Sequence, residues 1–479
     1  MDFRTPSPYN SRPNIPLPRI ELSMKILMLG WEYPPQIAGG LGTACQGLTW
    51  ALAEQGVSIH FVVPQLFGNE QAGHMVLTDQ LRRVAPERAG DGEGAPLPGY
   101  RETTRIPAFL QPYWSPQEFK AAVEMAAQPR FEKSSKPHGD DKLAKALIDG
   151  EVYGIDLISA LYRQDFYPEI ARGHYGQDIF REVERFTSNV IARIASDDFD
   201  VIHAHDWMTF PAGVALAQLT GKPLIVHVHS LERDRSGLFI NEQIEQIERF
   251  GIESADKVIV VSHYTQRLLE QHLGVASGKI CVIHNGVYPR QAVQDYRLKK
   301  TWPRNVVLFL GRVTYQKGPG YFVDIAARVI PHVPDVLFVM AGAGDMLSGI
   351  VQRVEELQLQ NHFLFPGFLQ GEELEEMFSI ADLYVMPSVS EPFGIAALEA
   401  ISFETPVIIS KQSGVAEVID HALKADFWDV DRMADMIINA LLHEELRREL
   451  VCRAREEVRK LHWGAAAEKT IAVYQDVAP

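Results

Sequence analysis

The sequence predicts an α/β protein built from two doubly wound domains, and three observations lead to that prediction. Short apolar runs alternate with helical segments over most of the chain. The runs form two successive series, separated by a polar stretch at 286–303 with little periodicity. The length of 479 residues also exceeds what one hydrophobic core usually supports.

The apolar runs are unbroken, which is typical of strands covered on both faces of a parallel sheet. The first series comprises KILMLG (25–30), SIHFVVP (58–64), VIHAH (201–205), LIVHVH (224–229), KVIVVS (257–262) and KICVIH (279–284). The second comprises NVVLFLG (305–311), VLFVMAG (336–342), HFLFPG (362–367), DLYVMPS (382–388) and PVIIS (406–410). Helical segments are predicted at 320–332, 347–358, 371–380 and 394–403. Two strand–helix series of this kind indicate two Rossmann-like domains.

This organisation predicts domain boundaries. We expect a disordered proline-rich tail at 1–23, an N-terminal domain at 24–290, a C-terminal domain at 300–460 and a terminal helix at 461–479. Residues 66–150, rich in Gly, Pro and charge, are interpreted as an insertion in the first domain, since a plain loop of that length is unusual. The insertion is either a place where an acceptor docks or a surface excursion, and both interpretations stay open.

Charge and hydropathy narrow the range of partners. The net charge of −16 repels phosphate backbones, so we expect no nucleic-acid partner. A bound nucleotide would need a local cluster of Arg and Lys. No apolar run reaches the length of about 18 residues that a membrane span needs, so we expect no stable membrane insertion. The first residues lack the apolar region of a signal peptide. The three cysteines are far apart in the sequence, a pattern that suits a reducing cytosol, so we expect a cytoplasmic protein.

A glycine pair follows the first predicted strand. Gly39 and Gly40 precede a helix predicted from about Leu41 to Gln55. Glycines let a ligand approach the backbone, and the N–H groups at a helix N-terminus favour an anion. A tight turn that needs positive φ explains the same pair.

Two cations follow the first strand of the second series, in LFLGRVTYQKGPG (308–320). Arg312 offers a forked set of donors and Lys317 a point charge. The carboxyl end of a strand is where open α/β sheets bind ligands, so the pair suits a diphosphate. Two solvated loop cations are the other interpretation.

Two carboxylates seven residues apart mark the segment SEPFGIAALEA (390–400). Glu391 lies in a loop, while Glu399 lies just over one turn into a predicted apolar helix that starts near Gly394. Carboxylates accept paired hydrogen bonds from vicinal hydroxyls of a sugar or ribose. The alternative is a helix-capping acid and a surface acid, but apolar neighbours argue against a surface role for Glu399.

Two His-x-His pairs occur at the ends of strands in the first series. His203 and His205 precede Asp206, and His227 and His229 follow later. Alternate residues of a strand share a face, so either pair could bind a metal. The spacing supplies no carboxylate ligands, so we expect no metal. A histidine at the sheet edge can instead bond substrate hydroxyls.

Taken together, EPFGIAALEA, GRVTYQKG, HAHDW and VHVHS resemble the glycogen/starch synthase-like retaining glycosyltransferases of the GT-B fold. The resemblance covers roughly 24–66 and 185–479. It implies two Rossmann-like domains that face each other across a cleft, with a C-terminal helix that crosses back to the first domain.

The resemblance also implies roles around the donor diphosphate. Arg312 and Lys317 would neutralise the diphosphate and the charge that develops on the leaving group. Gly39 and Gly40 would bring backbone N–H groups to it.

Further roles concern the donor sugar and ribose. Glu391 and His229 would contact the sugar, and the backbone amides around Phe393 and Gly394 would face it. Glu399 would hold the ribose hydroxyls.

One departure affects the donor. Bacterial ADP-glucose glycogen synthases carry a Lys two residues before the glycine pair, where this chain has Ile37. The expected function is transfer of a glucosyl unit from ADP- or UDP-glucose to a glucan or another sugar acceptor. A different sugar donor with a non-glucan acceptor is the alternative.

No carboxylate is marked by the sequence as a nucleophile, so retention favours attack on the face from which the diphosphate leaves. Neither a cofactor nor a metal is then required. A nucleotide-sugar epimerase and a non-catalytic carbohydrate-binding protein are rival interpretations. The long insertion argues against the first, and intact Arg312, Lys317, Glu391 and Glu399 argue against the second.

Overall fold

The computed structural model describes residues 24–34, 39–66, 70, 72–78, 83–84, 179–288 and 305–478. Those residues form two sheets, one of eight strands and one of six. Every neighbouring pair of strands is parallel except one antiparallel pair at the edge of the first sheet. The fold class predicted from the sequence, two doubly wound α/β units, is therefore confirmed.

The first sheet has the order β4-β3-β2-β1-β5-β6-β7-β8. Its strands are β1 (Lys25–Leu29), β2 (Ser58–Val62), β3 (Val76–Thr78), β4 (Arg83–Val84), β5 (Val201–His205), β6 (Leu224–Val228), β7 (Lys257–Val260) and β8 (Ile280–Val282). Its helices are α1 (Gly40–Glu54), α2 (Ile179–Ile194), α3 (Phe210–Thr220), α4 (Glu232–Ser236), α5 (Glu242–Ser254) and α6 (His263–Leu268), with a π-helical turn at Leu269–Leu273 and a 3-10 turn at Ser277–Lys279.

The second sheet has the order β11-β10-β9-β12-β13-β14. Its strands are β9 (Asn305–Leu310), β10 (Val336–Ala341), β11 (Phe363–Gly367), β12 (Leu383–Met386), β13 (Val407–Ser410) and β14 (Leu423–Ala425). Its helices are α7 (Pro319–Val329), α8 (Leu347–Glu356), α9 (Glu372–Ile380), α10 (Ile395–Ser402), α11 (Val430–Leu442) and α12 (Glu444–Val458). Short 3-10 turns lie at Tyr315–Lys317, Gln360–His362 and Gly414–Glu417.

Both sheets are buried on both faces, which explains the unbroken apolar runs. Alternate residues of a strand point to opposite faces. In β1, Leu27 and Leu29 pack in one cluster with α2, α3 and α5, while Ile26 and Met28 pack in another cluster with α1. The second sheet likewise has one core cluster on each face. A strand of this kind has no polar face to alternate with.

Each sheet has a switch point, where successive connections leave in opposite directions along the sheet. In the first sheet it lies between β1 and β5, and in the second between β9 and β12. The loops at the carboxyl ends of such strand pairs form the crevice in which open α/β sheets bind ligands. The glycine pair follows β1, Arg312 and Lys317 follow β9, and Glu391 follows β12.

The last helix, α13 (Trp463–Val477), returns to the first sheet, as the resemblance implied. Ala466, Ile471 and Tyr474 belong to the core cluster that also contains α1. The Trp463 indole packs directly on Gly47 of α1, where a Cβ would lie only 2.1 Å from the Trp463 Cε2 atom. Only glycine leaves room for the indole there.

The structure adds three short strands that the sequence analysis did not predict. β3 and β4 lie inside the range assigned to the insertion. β14 is a strand of three residues at one edge of the second sheet. The predicted tail at 1–23, most of 66–150 and the polar stretch beyond residue 288 lie outside the described residues. Within the described ranges, we find no helix whose length and apolar character would let it cross a membrane.

Replacing Trp463 tests how firmly α13 is docked. Trp463→Ala removes a side chain that is 4% exposed. We expect a loss of about 3–5 kcal/mol, the range for deleting a large aromatic side chain from a core, and a lower midpoint of thermal unfolding. Trp428→Ala is the matched control, because that indole is 59% exposed. Equal midpoints for the two variants would contradict the packing role of Trp463.

Candidate active site

The loop that carries the two cations follows β9 and packs directly on the loop that follows β12. Gly318 ends the 3-10 turn with φ +67, and a Cβ there would lie 2.1 Å from the carbonyl oxygen of Pro387. The amide of Val389 donates to the carbonyl of Gln316 at 2.9 Å. The two loops at the switch point of the second sheet therefore form one unit.

Arg312 faces the glycine pair of the first domain. Its Nη2 donates to Gln316 Oε1 at 3.1 Å, which orients the guanidinium. A Cβ built on Gly39 would lie 3.7 Å from Arg312 Nε, so the backbone at the start of α1 and this cation are in close proximity. The structure thus brings together two of the predicted diphosphate contacts, one from each domain.

Lys317 forms an ion pair with Glu391. The ammonium donates to Glu391 Oε2, and Ser388 Oγ donates to the same oxygen at 3.4 Å. The carboxylate side chain is 8% exposed and the lysine side chain 22%. A buried charge is tolerated when it is paired and hydrogen-bonded, which this geometry provides. The predicted cation and the predicted sugar-binding acid are therefore in direct contact.

The segment after Glu391 turns sharply into α10. Gly394 has φ +106, a left-handed conformation that side chains other than glycine rarely adopt. The carbonyl of the buried Phe393 accepts from the amide of Val415 at 2.6 Å. Glu399 lies in the fifth position of α10 and is half-buried. The helix start and the position of Glu399 agree with the prediction.

The two acids lie near Tyr384 of β12. Burial raises the pKa of Tyr384, and the negative charges of Glu391 and Glu399 raise it further. The Tyr384 hydroxyl donates to the carbonyl of Leu310, at the end of β9, at 3.4 Å. Both carboxylates are therefore near the switch point.

The start of α1 already has a carboxylate partner that sequence reasoning missed. The amide of Gly42 donates to Glu32 Oε1 at 2.9 Å. A negative charge is stabilised at that helix end. Gly40 is exposed and Gly39 half-buried, so backbone at the start of the helix is accessible. Ile37 lies outside the described residues.

The two His-x-His pairs form one stack, because β5 and β6 are neighbours in the sheet. Ring centroids are 4.2 Å apart for His203 and His205, 5.3 Å for His203 and His227, and 4.1 Å for His227 and His229. His203 Nδ1 is bonded to the Tyr474 hydroxyl at 2.7 Å, and His205 Nδ1 to His229 Nε2 at 3.0 Å. The stack runs from the buried core beside α13 to the half-buried His229.

Burial keeps the four rings neutral. It lowers the pKa of His203 and of His229 to about 3, and it lowers the pKa of His205 and of His227 well below the ordinary value. Both ring nitrogens of His227 lack a hydrogen-bond partner among the described residues. Protonation of such a ring would place an uncompensated charge in the core.

The stack raises the question of a metal. Ring nitrogens of His203, His205 and His227 lie within 4.8 Å of one another. The planes of His203 and His227 differ by only 1°, however. An imidazole binds a metal through a lone pair in its ring plane, and such parallel rings do not direct their lone pairs to one point. The expectation that the protein needs no metal stays a prediction.

Asp206 fixes the backbone of His229. Its Oδ1 accepts from the amides of His229 at 2.7 Å and of Ser230 at 3.3 Å. Asp206 itself has φ +59, an uncommon conformation for a residue other than glycine. In the sequence, Asp206 is marked only by its place next to a histidine pair. Its side chain fixes the backbone that follows β6.

The chain is similar to known glycosyltransferases. Residues 292–457 match the family described as "Glycosyl transferases group 1", and residues 150–291 match "Glycosyltransferase Family 4". An uncharacterized glycosyltransferase of Bacillus subtilis is 31% identical over 55% of this chain and 74% of its own length. A glycogen synthase of Mycobacterium tuberculosis is 26% identical over 83% of this chain and 80% of its own length.

Among solved structures, sucrose-phosphate synthase from Thermosynechococcus elongatus superposes with a TM-score of 0.67 at 20% identity. The match covers 95% of this chain and 98% of that one. The fold and the matched families define a two-domain glycosyltransferase of the GT-B type. The chain belongs to the group 1 glycosyltransferases.

Because the four stacked histidines are neutral in the folded protein, we expect the free energy of unfolding to depend on pH. A ring with a folded-state pKa of about 3, such as His203, binds no proton between pH 3 and 6.5, whereas the unfolded chain does. Stability is therefore fully present above about pH 6.5 and falls below it, by about 1.4 kcal/mol per pH unit for each such ring. His227→Leu should make the fall of the unfolding midpoint between pH 7 and 5 shallower.

The comparison between variants isolates the histidine. Burial raises the pKa of Asp206 to about 6 and of Glu248 to about 8, and raised carboxyl pKa values act in the opposite direction on stability. The slope of the variant must therefore be compared with the slope of the wild type. His332→Asn, at an exposed position, is the control. A His227→Leu curve parallel to that of the wild type would contradict the neutral stack.

Proposed function

We propose that the protein is a retaining glycosyltransferase that moves a glucosyl unit from a nucleoside diphosphate-glucose to a glucan or another sugar acceptor. One observation carries the proposal: Arg312, Lys317 and Glu391 meet at the switch point of the second sheet, opposite Gly39 of the first domain. This arrangement offers two cations and a carboxylate in a crevice between two domains.

The diphosphate is assigned to the space between Arg312 and the start of α1. A guanidinium binds phosphate oxygens with paired donors, and the N–H groups at the start of a helix favour an anion. Lys317 contributes the second positive charge. Its ion pair with Glu391 holds the ammonium in place before a donor arrives, so less side-chain freedom is lost on binding. Both cations would then stabilise the charge of the leaving diphosphate.

The donor sugar is assigned to the region of Glu391 and His229. The Glu391 carboxylate accepts from sugar hydroxyls through lone pairs that the Lys317 bond leaves available. The backbone amides near Phe393 and Gly394 face the same sugar. Because its pKa is lowered to about 3, His229 acts as a neutral imidazole at physiological pH. It exchanges hydrogen bonds with the sugar and adds no positive charge.

The chemistry proposed is attack on the face from which the diphosphate leaves. The acceptor oxygen forms the new bond to the anomeric carbon as the bond to the diphosphate oxygen breaks, and that diphosphate oxygen takes the acceptor proton. The configuration at the anomeric carbon is retained. The pairing of Glu391 with Lys317 and Ser388 supports a binding role over a nucleophilic one. No metal or cofactor takes part in this scheme.

Glucose is proposed as the sugar because a glycogen synthase is among the relatives that align with most of this chain. The base, adenine or uracil, is left open. We assign its choice to the loop at Gly367 and Phe368, at the end of β11, where Gly367 has φ +82 and the Phe368 ring is 54% exposed. A sugar acceptor other than a glucan is the second candidate.

The two acids should be separable by binding and turnover. We expect Glu399→Gln to weaken the binding of UDP or ADP by about 10-fold or more, the scale for losing a hydrogen bond to a charged group. In Glu391→Gln the amide oxygen can still accept from Lys317, so nucleotide binding should stay nearly intact. Transfer should fall by about 10²-fold, the scale for losing one preorganised polar group. Isothermal titration and release of nucleoside diphosphate measure the two effects.

A third carboxylate is the matched control for this pair. Glu404 lies just after α10 and pairs with Arg455, away from the switch point. Glu404→Gln should change neither binding nor turnover. Equal weakening of nucleotide binding by the variants at Glu391 and Glu399 would refute the separate roles.

A further inference from the structure

A buried hydrogen-bond chain connects the first domain to the residue that precedes Glu391. Ser390 Oγ is bonded to Asp234 Oδ1, and the Tyr264 hydroxyl lies 2.9 Å from Ser390 Oγ. A carboxylate only accepts, so the serine donates to Asp234 and Tyr264 donates to the serine. Asp234 and Tyr264 belong to the first domain and Ser390 to the second.

Asp234 is held rigidly in α4. Its Oδ2 accepts from the amide of Leu231 at 2.8 Å. The next residue, Arg235, pairs with Glu232 at 3.3 Å and with Glu248 at 2.8 Å. Asp234, Glu232 and Glu248 are each at most 2% exposed. The carboxylate is thus fixed from the first domain, independently of Ser390.

The end of α4 contacts the cation loop as well. Gly237 follows α4 with φ +58, and a Cβ at that position would lie 2.5 Å from the ring of Tyr315. Tyr315 begins the 3-10 turn that ends at Lys317. One short segment of the first domain, α4 with Gly237, therefore touches the loops of both Lys317 and Glu391.

Within the second domain, the Glu391 loop is held by the Lys317–Glu391 pair and by a few backbone contacts. Val389 is tied to Gln316 through its backbone, and Glu391 makes an isolated bridge with Ser413. Between these two contacts, the Ser390 side chain is bonded only across the domain boundary by the contacts given above. A hydrogen bond to a buried carboxylate is stronger than one between neutral groups. The bond between Ser390 and Asp234 exists only while the two domains are together.

We propose that Asp234 is a positioning residue, which holds Ser390 and thereby fixes Glu391 for the donor sugar when the domains close. The inference rests on the proposed function, in which Glu391 contacts that sugar. Closure would then complete the site, because α4, which contacts the second domain, also orders the Glu391 carboxylate. When the domains separate, Ser390 loses its acceptor and the Glu391 loop loses one of the contacts that hold it.

Removing the serine hydroxyl is the primary test. Ser390→Ala should lower kcat with UDP-glucose or ADP-glucose and maltohexaose by about 10- to 100-fold, the scale for a small misplacement of a reacting group. The Kd for UDP or ADP should not change, because Arg312, Lys317 and Glu399 are intact. Ser390→Thr, which keeps a hydroxyl, should recover part of the turnover. A purely structural role would not produce this separation of kcat from Kd.

The matched control is Ser402→Ala. Ser402 is also buried, but its Oγ donates to Leu398 within α10 and not across the domain boundary. Its turnover should equal that of the wild type. In a double-mutant cycle, Asp234→Ala combined with Ser390→Ala should be no slower than the slower single variant, because both remove the same bond. If Asp234→Ala does not fold, Tyr264→Phe takes its place in the double-mutant cycle.

The outcomes separate this inference from the proposed function. Full turnover in Glu391→Gln would overturn the role of Glu391 and, with it, the positioning role of Asp234. Loss of turnover in Glu391→Gln with full turnover in Ser390→Ala would overturn only the inference about Asp234. Additive losses in the double variant would also overturn it, since the two residues would then act independently.

Discussion

The Lys317–Glu391 ion pair holds together the two loops from which the rest of the site is built. Its partners are 74 residues apart in the chain and meet because β9 and β12 are neighbours in the second sheet. Both side chains are largely shielded from water. Removing one partner of such a pair leaves a charge with poor compensation, so each fixes the position of the other. Arg312, Phe393 and Glu399 are placed by the same two loops.

The second requirement is that the two domains meet at these loops. α13 returns to the first sheet through Trp463, and Ser262 Oγ donates to the carbonyl of Pro392 at 2.6 Å. Glu417 accepts from the amide of His263 at 2.7 Å and is bonded to His284 Nε2 at 2.8 Å. These contacts cross from one domain to the other beside the Glu391 loop. They account for the proximity of Gly39 and Arg312. A local cation is needed at this place because the net charge of the chain, −16, would otherwise repel a diphosphate.

Much of this arrangement could be predicted from the sequence, because it depends on local patterns. Apolar runs identified the long buried strands, and loop residues after β9 and β12 identified Arg312, Lys317 and Glu391. The strands β3 and β14 have three residues each, too few to show a pattern. The contact between Asp234 and Ser390 spans 156 residues and leaves no local signal. The histidine stack needs the adjacency of β5 and β6, which no spacing within either strand reveals.

We propose that the switch point of the second sheet holds a nucleoside diphosphate-glucose for transfer with retention. The most direct measurement supplies UDP-glucose, ADP-glucose, UDP-galactose and GDP-mannose with maltohexaose in the presence of EDTA, and determines the new linkage by NMR. We expect release of nucleoside diphosphate from a glucose donor and an α-linked product. A β-linked product, transfer only from a donor of another sugar, or activity that EDTA abolishes and a divalent metal restores would contradict it.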